Sequence, residues 1–203
     1  HDALPIFSDP SKASAELVGT FYKWLVFFEE TKDKQLSEEQ LQGLFGELFF
    51  LSKILKEGSQ LNIDRQLNSW KGPYNAVHDF EFETKSIEVK TKKESGSFIN
   101  ISSEYQLEKE IKQLELLVVS IKMDLQNGNS IHDILLSITD QVRLKNGDIS
   151  IIHKALSQKD LTFSSLRKYN NYRFTVTKTE LYNTESTAFP KLTKSNVKDG
   201  ISG

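Results

Sequence analysis

No cysteine occurs in the 203 residues, which excludes disulfides and thiolate metal centres and fits a reducing, cytoplasmic setting. Charge of one sign is also lacking. With 26 Lys and Arg against 28 Asp and Glu, the chain is not the basic body that advertises nucleic-acid binding, so any such contact must come from a local patch. No apolar run approaches the roughly 18 residues that a membrane span needs, so no membrane partner is expected. There is no repeat, no low-complexity tract and no helix-turn-helix or zinc-finger pattern for reading bases. The first residues, "HDALP", lack both an initiator Met and a signal-peptide grammar and read as an artificial or processing boundary of a longer chain. What is present is apolar: 13 Phe, 6 Tyr and 2 Trp argue against disorder and for one substantial core.

Spacing gives an outline of the fold. Leu17, Phe21, Leu25 and Phe28 predict a first helix over 14–30. Ser37-x-x-Gln40 has the form of a capping box, and Leu41, Leu44, Phe45, Leu48, Phe49, Ser52 and Leu55 continue it as a helix that Gly58 stops. Residues 58–75 read as a loop, with a turn at Gly72-Pro73. The period then changes to two. Val77, Asp79 and Glu81 alternate with Phe80 and Phe82, and Ile87, Val89 and Thr91 alternate with Glu88, Lys90 and Lys92, with a hairpin turn over 83–86. Phe98 to Ile101 suggests a third strand, and "LELLVVSIKM" at 114–123 a buried strand at the sheet centre. A helix through Ile131, Ile134, Leu135, Ile138 and Val142, a short helix over 148–157 and a strand over 172–182 complete the outline.

Glu-x-Lys occurs at Glu30/Lys32, Glu83/Lys85, Glu88/Lys90 and Glu110/Lys112. Only Glu88 and Lys90 stand on a strand whose opposite face is apolar. A tight hairpin would lay Asp79 beside Glu88, and two converging carboxylates are the hard, partial coordination that Mg²⁺ prefers, leaving places for water and a phosphate. Lys90 could orient or deprotonate that water and neutralise the phosphate. Glu47, on the margin of the helical apolar stripe four residues after Gly43, could reach the same sheet end, with the glycine allowing close backbone approach. The competing reading is a cross-strand salt bridge on the wet side of a hairpin, with Glu47 a surface residue beside the core. Lys71, Lys85, Lys92 and Lys93, with Trp70 and Tyr74 nearby, form a local basic and aromatic cluster suited to a phosphate backbone or to a solvated loop.

Taken together, "LQGLFGELFFLSKIL", "SWKGPYNAVHDFEFETKSIEVKTKK" and "INISSEYQL" resemble the bacterial PD-(D/E)XK motif proteins often encoded beside restriction-modification genes. The likeness runs from about Ser37 through "ELYNTESTAFPKLTKSNVKDGIS" and implies a C-terminus cut short before the last strands. It implies an α/β, restriction-endonuclease-like core, a central mixed sheet flanked by helices in the order αβββαβ, over 37–203, with 1–36 a helical segment packed on it. By resemblance Glu47 is the helix-borne acid, Asp79 the motif aspartate, and Glu88 and Lys90 the (D/E)XK pair. Gln106 matches a position that in several superfamily nucleases holds the site or the phosphate. His78 departs from the pattern, standing where Pro is common.

The expectation is a metal-dependent DNA endonuclease using Mg²⁺ or Mn²⁺ at Glu47, Asp79 and Glu88. Lys71, Lys92, Lys93 and Trp70 are the expected DNA contacts. A restriction or anti-phage role, a homodimer and partner subunits of a restriction-modification system follow by analogy. The alternative is a nuclease-fold module that has lost cleavage and binds DNA or a partner.

Overall fold

A computed structural model of the chain describes residues 35–59, 62–99, 112–186 and Phe189. The helix expected over 14–30, Gln106 and the tail from Pro190 lie outside the described residues. The chain divides into two compact units, His1–Gln35 and Leu36–Gly203, and every described helix and strand belongs to the second.

Helix α1 (Glu38–Glu57) starts where its capping box predicts. The Gln40 N–H donates to Ser37 Oγ at 3.2 Å, and the Ser37 N–H donates to Gln40 Oε1 at 2.9 Å. Glu38 and Glu39 in the first turn and Lys56 in the last complement the helix dipole, and Gly58 closes the helix by donating to the Ile54 carbonyl. Its stripe of Leu41, Phe45, Leu48, Leu51 and Leu55 is fully buried, each side chain contributing about 1.5–3 kcal/mol by leaving water. Part of the stretch read as loop is instead a short helix, α2 (Ile63–Ser69), held by Ile63 and Leu67 alone. Two apolar residues and no side-chain cap are too little pattern to predict a helix from.

The sheet is mixed, in the order β1-β2-β3-β4, with β1 (Phe80–Glu81) antiparallel to β2 (Lys85–Lys93), β2 parallel to β3 (Gln113–Met123), and β3 antiparallel to β4 (Phe174–Asn183). Strand β3 is central, as its unbroken apolar run predicts, and Leu116 to Ile121 are all buried. A parallel β2–β3 pair requires a crossover between them, and residues 100–111 of that connection lie outside the described residues. Phe98 does not belong to a strand: it is 88% exposed, and 94–99 lie outside the sheet. The expected β1 also shrinks to two residues, and Val77 is exposed outside it.

One face of the sheet is covered by α1. Phe45 meets Phe174 of β4 edge-on at 5.1 Å, and Phe50 meets Phe80 of β1 at 4.8 Å. Helix α3 (Ile131–Leu144) packs on α1, with the Gln141 amide donating to Ser52 Oγ at 3.1 Å. Its own capping box pairs Ser130 with Asp133. Two short helices follow, α4 (Ser150–Ser157) and α5 (Phe163–Leu166), before β4. This is an α/β arrangement, a mixed sheet flanked by helices, and the order αβββαβ is met with β3 as its third strand; residues 100 and 101 of the strand expected over 98–101 lie outside the described residues.

Candidate active site

Glu88 and Lys90 alternate with Ile87 and Val89 on β2, so both project from the face opposite α1's apolar contact. Lys90 Nζ stands 2.8 Å from Glu88 Oε1. This is a pair along one strand and not across two, and it is not on a wet face. Glu88 is 2% exposed, and its second oxygen, Oε2, is buried with no hydrogen-bond partner. A solvated salt bridge does not describe such a group.

Asp79 comes to Glu88 because the hairpin ladder stops early. Phe80 pairs with Ile87, and continuing that register would set His78 opposite Val89. Instead the Asp79 carboxylate takes over: its Oδ2 accepts the Val89 N–H at 2.8 Å, and its main-chain carbonyl accepts the N–H groups of Lys71 and Gly72 at 2.7 and 3.0 Å. Lys71 and Gly72 thereby pair with the Asp79 main chain, next to the Trp70–Phe80 bridge. Asp79 is left facing Glu88 across the end of the ladder.

Glu47 arrives from α1. The helix can approach β2 because Gly46 has no side chain, and a Cβ there would collide with Thr91 and stand 3.6 Å from Val89 Cγ1. Gly43, which spacing alone put in this role, has nothing within 4 Å. Trp70 Nε1–H donates to Glu47 Oε2 at 2.7 Å and fixes the carboxylate at the sheet end. A second glycine makes room there: a Cβ on Gly72 would run into Glu47 Oε2 and lie 3.1 Å from Asp79 Oδ1. Two carboxylate oxygens from different elements thus converge on one point above the Gly72 backbone.

The electrostatics follow from this crowding. Burial first, and the Asp79 charge second, push Glu47 up to about 8, against the Trp70 hydrogen bond. Burial and then Asp79 push Glu88 up to about 7, against Lys90. Asp79 is raised by burial and held back chiefly by the Val89 N–H and then Lys90. Three acids that impede one another's ionisation, with one buried oxygen unpaired, form a donor set that a hard divalent cation fits. They do not make a ready cage: among the described residues no group of three or more His, Cys, Asp or Glu side chains is already arranged to hold a metal ion. Trp70, Val89 and Lys90 each occupy one oxygen of a carboxylate, so the expected three-acid set is open and partial.

Residues 6–203 match a family model described as "Putative PD-(D/E)XK family member (DUF4420)". The chain belongs to this family. No curated protein and no solved structure matches it. Asp79, Glu88 and Lys90, with Glu47 from the helix, are the residues that the sequence resemblance matches to the PD-(D/E)XK motif. Membership points to a nuclease-type hydrolase fold, and no helix among the described residues is long and apolar enough to cross a membrane.

The expected DNA contacts of this PD-(D/E)XK member fare differently from one another. Trp70 is 1% exposed and cannot stack on a base; its place is in the core, as the donor to Glu47. Lys93 pairs with Glu38 at 2.9 Å, nine residues before Glu47 and about 13 Å from it along α1. Lys92 shares the Glu88 and Lys90 side of β2, and its Nζ donates to the Gly96 carbonyl at 3.0 Å. Lys71 adjoins Gly72 at the site's rim. His78 is buried with Nε2 unpaired. Lys159, just past α4, is absent from the expected set, yet its charge weakly favours the ionised forms of both Glu47 and Asp79. In "ALSQKDL" nothing separates it from an ordinary exposed lysine at a helix end.

Proposed function

We propose that this PD-(D/E)XK family member is a divalent-metal-dependent endonuclease that hydrolyses DNA phosphodiester bonds. The observation that supports it most is Glu88, buried beside Asp79 with one oxygen on Lys90 and the other unpaired. Carboxyls with perturbed ionisation cluster at functional sites, because catalysis needs such groups. Asp79 and Glu88 would hold the cation, with Glu47 beside them. Bound there, Mg²⁺ or Mn²⁺ supplies a Lewis acid that lowers the pKa of a water and offsets charge on the phosphate.

The chain's own groups carry the rest. The Val89 N–H fixes the Asp79 carboxylate, the Trp70 indole fixes Glu47, and the ion pair with Glu88 holds Lys90 where it can donate to the attacking water or to a phosphate oxygen. Water gives up a proton to solvent as its oxygen bonds to phosphorus, the P–O bond to the leaving sugar oxygen breaks, and that oxygen takes a proton from solvent. Without a cation, burial favours the protonated forms of Glu47 and Glu88, and a bound cation would favour their release of those protons. The setting we attach to this chemistry, restriction or anti-phage defence, rests on the sequence resemblance. Cutting both strands with one site per chain calls for two copies or a partner subunit.

Plasmid and linear DNA incubated with the protein in Mg²⁺, in Mn²⁺ and in EDTA test the reading. Cleavage is expected with either metal and not in EDTA, with Asp79→Ala and Lys90→Ala each slower by about 10²-fold or more. Equal cleavage by wild type and both variants would defeat the assignment.

A further inference from the structure

Helix α4 ends in a tight reversal. Asp160 takes a left-handed backbone, φ 57°, its N–H donates to the Ser157 carbonyl, and the Leu161 N–H reaches back to the Leu156 carbonyl, both at 3.1 Å. Leu156 and Leu161 are both buried in the core and anchor the turn from below. Lys159 is therefore presented by a fixed backbone, although its own side chain is only half-buried. Its Nζ lies 2.8 Å from Asn75 Oδ1. Asn75, left-handed at φ 55°, closes the same Gly72–Tyr74 turn whose first residue lies against Glu47 and Asp79. Tyr74 and Val77, on either side of Asn75, are exposed, so this rim is open to solvent.

The site as expected from the motif has one cation, Lys90, and that cation is committed to Glu88. Lys159 reaches the opposite rim from an element that the motif does not include. It donates there to a neutral amide oxygen, so this contact leaves its charge uncancelled. An ammonium on an open rim beside a carboxylate cluster suits a polyanion whose reacting phosphate must be drawn to acidic groups that would otherwise repel it.

We propose that Lys159 is a substrate-contacting residue that binds a DNA phosphate at the Asn75 rim of the carboxylate site. The inference rests on the nuclease reading for its substrate, but it is tested by binding as well as by cutting. The competing role is structural, with Lys159 only steadying the turn through Asn75. Asn75→Gly separates the two, because glycine accepts the left-handed backbone while removing the side-chain partner.

The experiment measures duplex-DNA affinity by fluorescence anisotropy across a salt series without divalent metal, and Mn²⁺ affinity by calorimetry. Wild type, Lys159→Gln, Lys159→Arg and Asn75→Gly are compared. Lys159→Gln is expected to weaken DNA binding several-fold and to flatten the log K against log salt slope by about 1. It should leave Mn²⁺ affinity unchanged or tighter, since it removes a positive charge near the acids. Lys159→Arg should restore DNA binding, and Asn75→Gly should keep it. Wild-type DNA affinity and slope in Lys159→Gln, the same loss in Asn75→Gly, or weaker Mn²⁺ binding in Lys159→Gln would each overturn the proposal. Should the wild type bind DNA without metal-dependent cleavage, the nuclease reading fails alone and the binding comparison still decides Lys159.

Discussion

Glu88 and Glu47 are carboxyls for which burial favours the protonated form, and this fixes a sign for pH effects. In the fold they keep their protons to about 7 and about 8, whereas the ordinary value is 4.5. Across that window the folded chain binds more protons than the unfolded one, so the metal-free protein loses stability as pH rises from about 5 to about 8. Thermal melts in EDTA over this range should show a falling midpoint, and Glu88→Gln, which cannot titrate, should fall less. A midpoint that rises with pH equally in both proteins would show that these acids are already ionised in the fold.

At the scale of elements, the two glycines of α1 differ in what they meet. Gly43→Ala adds a methyl with nothing within 4 Å and should stabilise the helix by about 0.5–1 kcal/mol. Gly46→Val drives a branched side chain into Thr91 and should cost about 1–3 kcal/mol while shifting Glu47 away from Asp79. Urea denaturation of the two variants reads both signs, and cleavage should be slowed only in the second. The sequence singled out the wrong glycine because helical spacing says which residues share a face, not how near the opposing strand will come. Helix α1 and strand β3 were legible for the converse reason, since capping chemistry and a continuous apolar run act locally. The length of β1 was not legible, because a side chain, Asp79, replaces main-chain pairing where the ladder would have continued. Glu47, Asp79, Glu88 and Lys90 are already candidates on alternation and helical spacing, and the family resemblance is what separates them from an ordinary salt bridge. Lys159 lies far along the chain and carries no local mark at all.

For the molecule as a whole, a cation that binds the folded carboxylates and not the unfolded chain must raise the melting temperature. Mg²⁺ or Mn²⁺ is expected to stabilise the wild type in a concentration-dependent way, most visibly near pH 8, where the acids release their protons most readily. Asp79→Ala should abolish that gain, and an equal gain in wild type and variant would place the cation elsewhere.

The two-residue β1 has a consequence for solubility. Among the described residues, no strand pairs with the outer edge of β2 beyond Ile87, and with the Val89 N–H taken by Asp79 Oδ2 the rest of the stretch from Val89 to Lys93 offers an open template for another chain's backbone. That stretch reads Val-Lys-Thr-Lys-Lys, and a row of lysines is what discourages edge-to-edge aggregation. Shortening one strand leaves this edge of the sheet uncovered, and the lysines along it guard it against another copy of the chain.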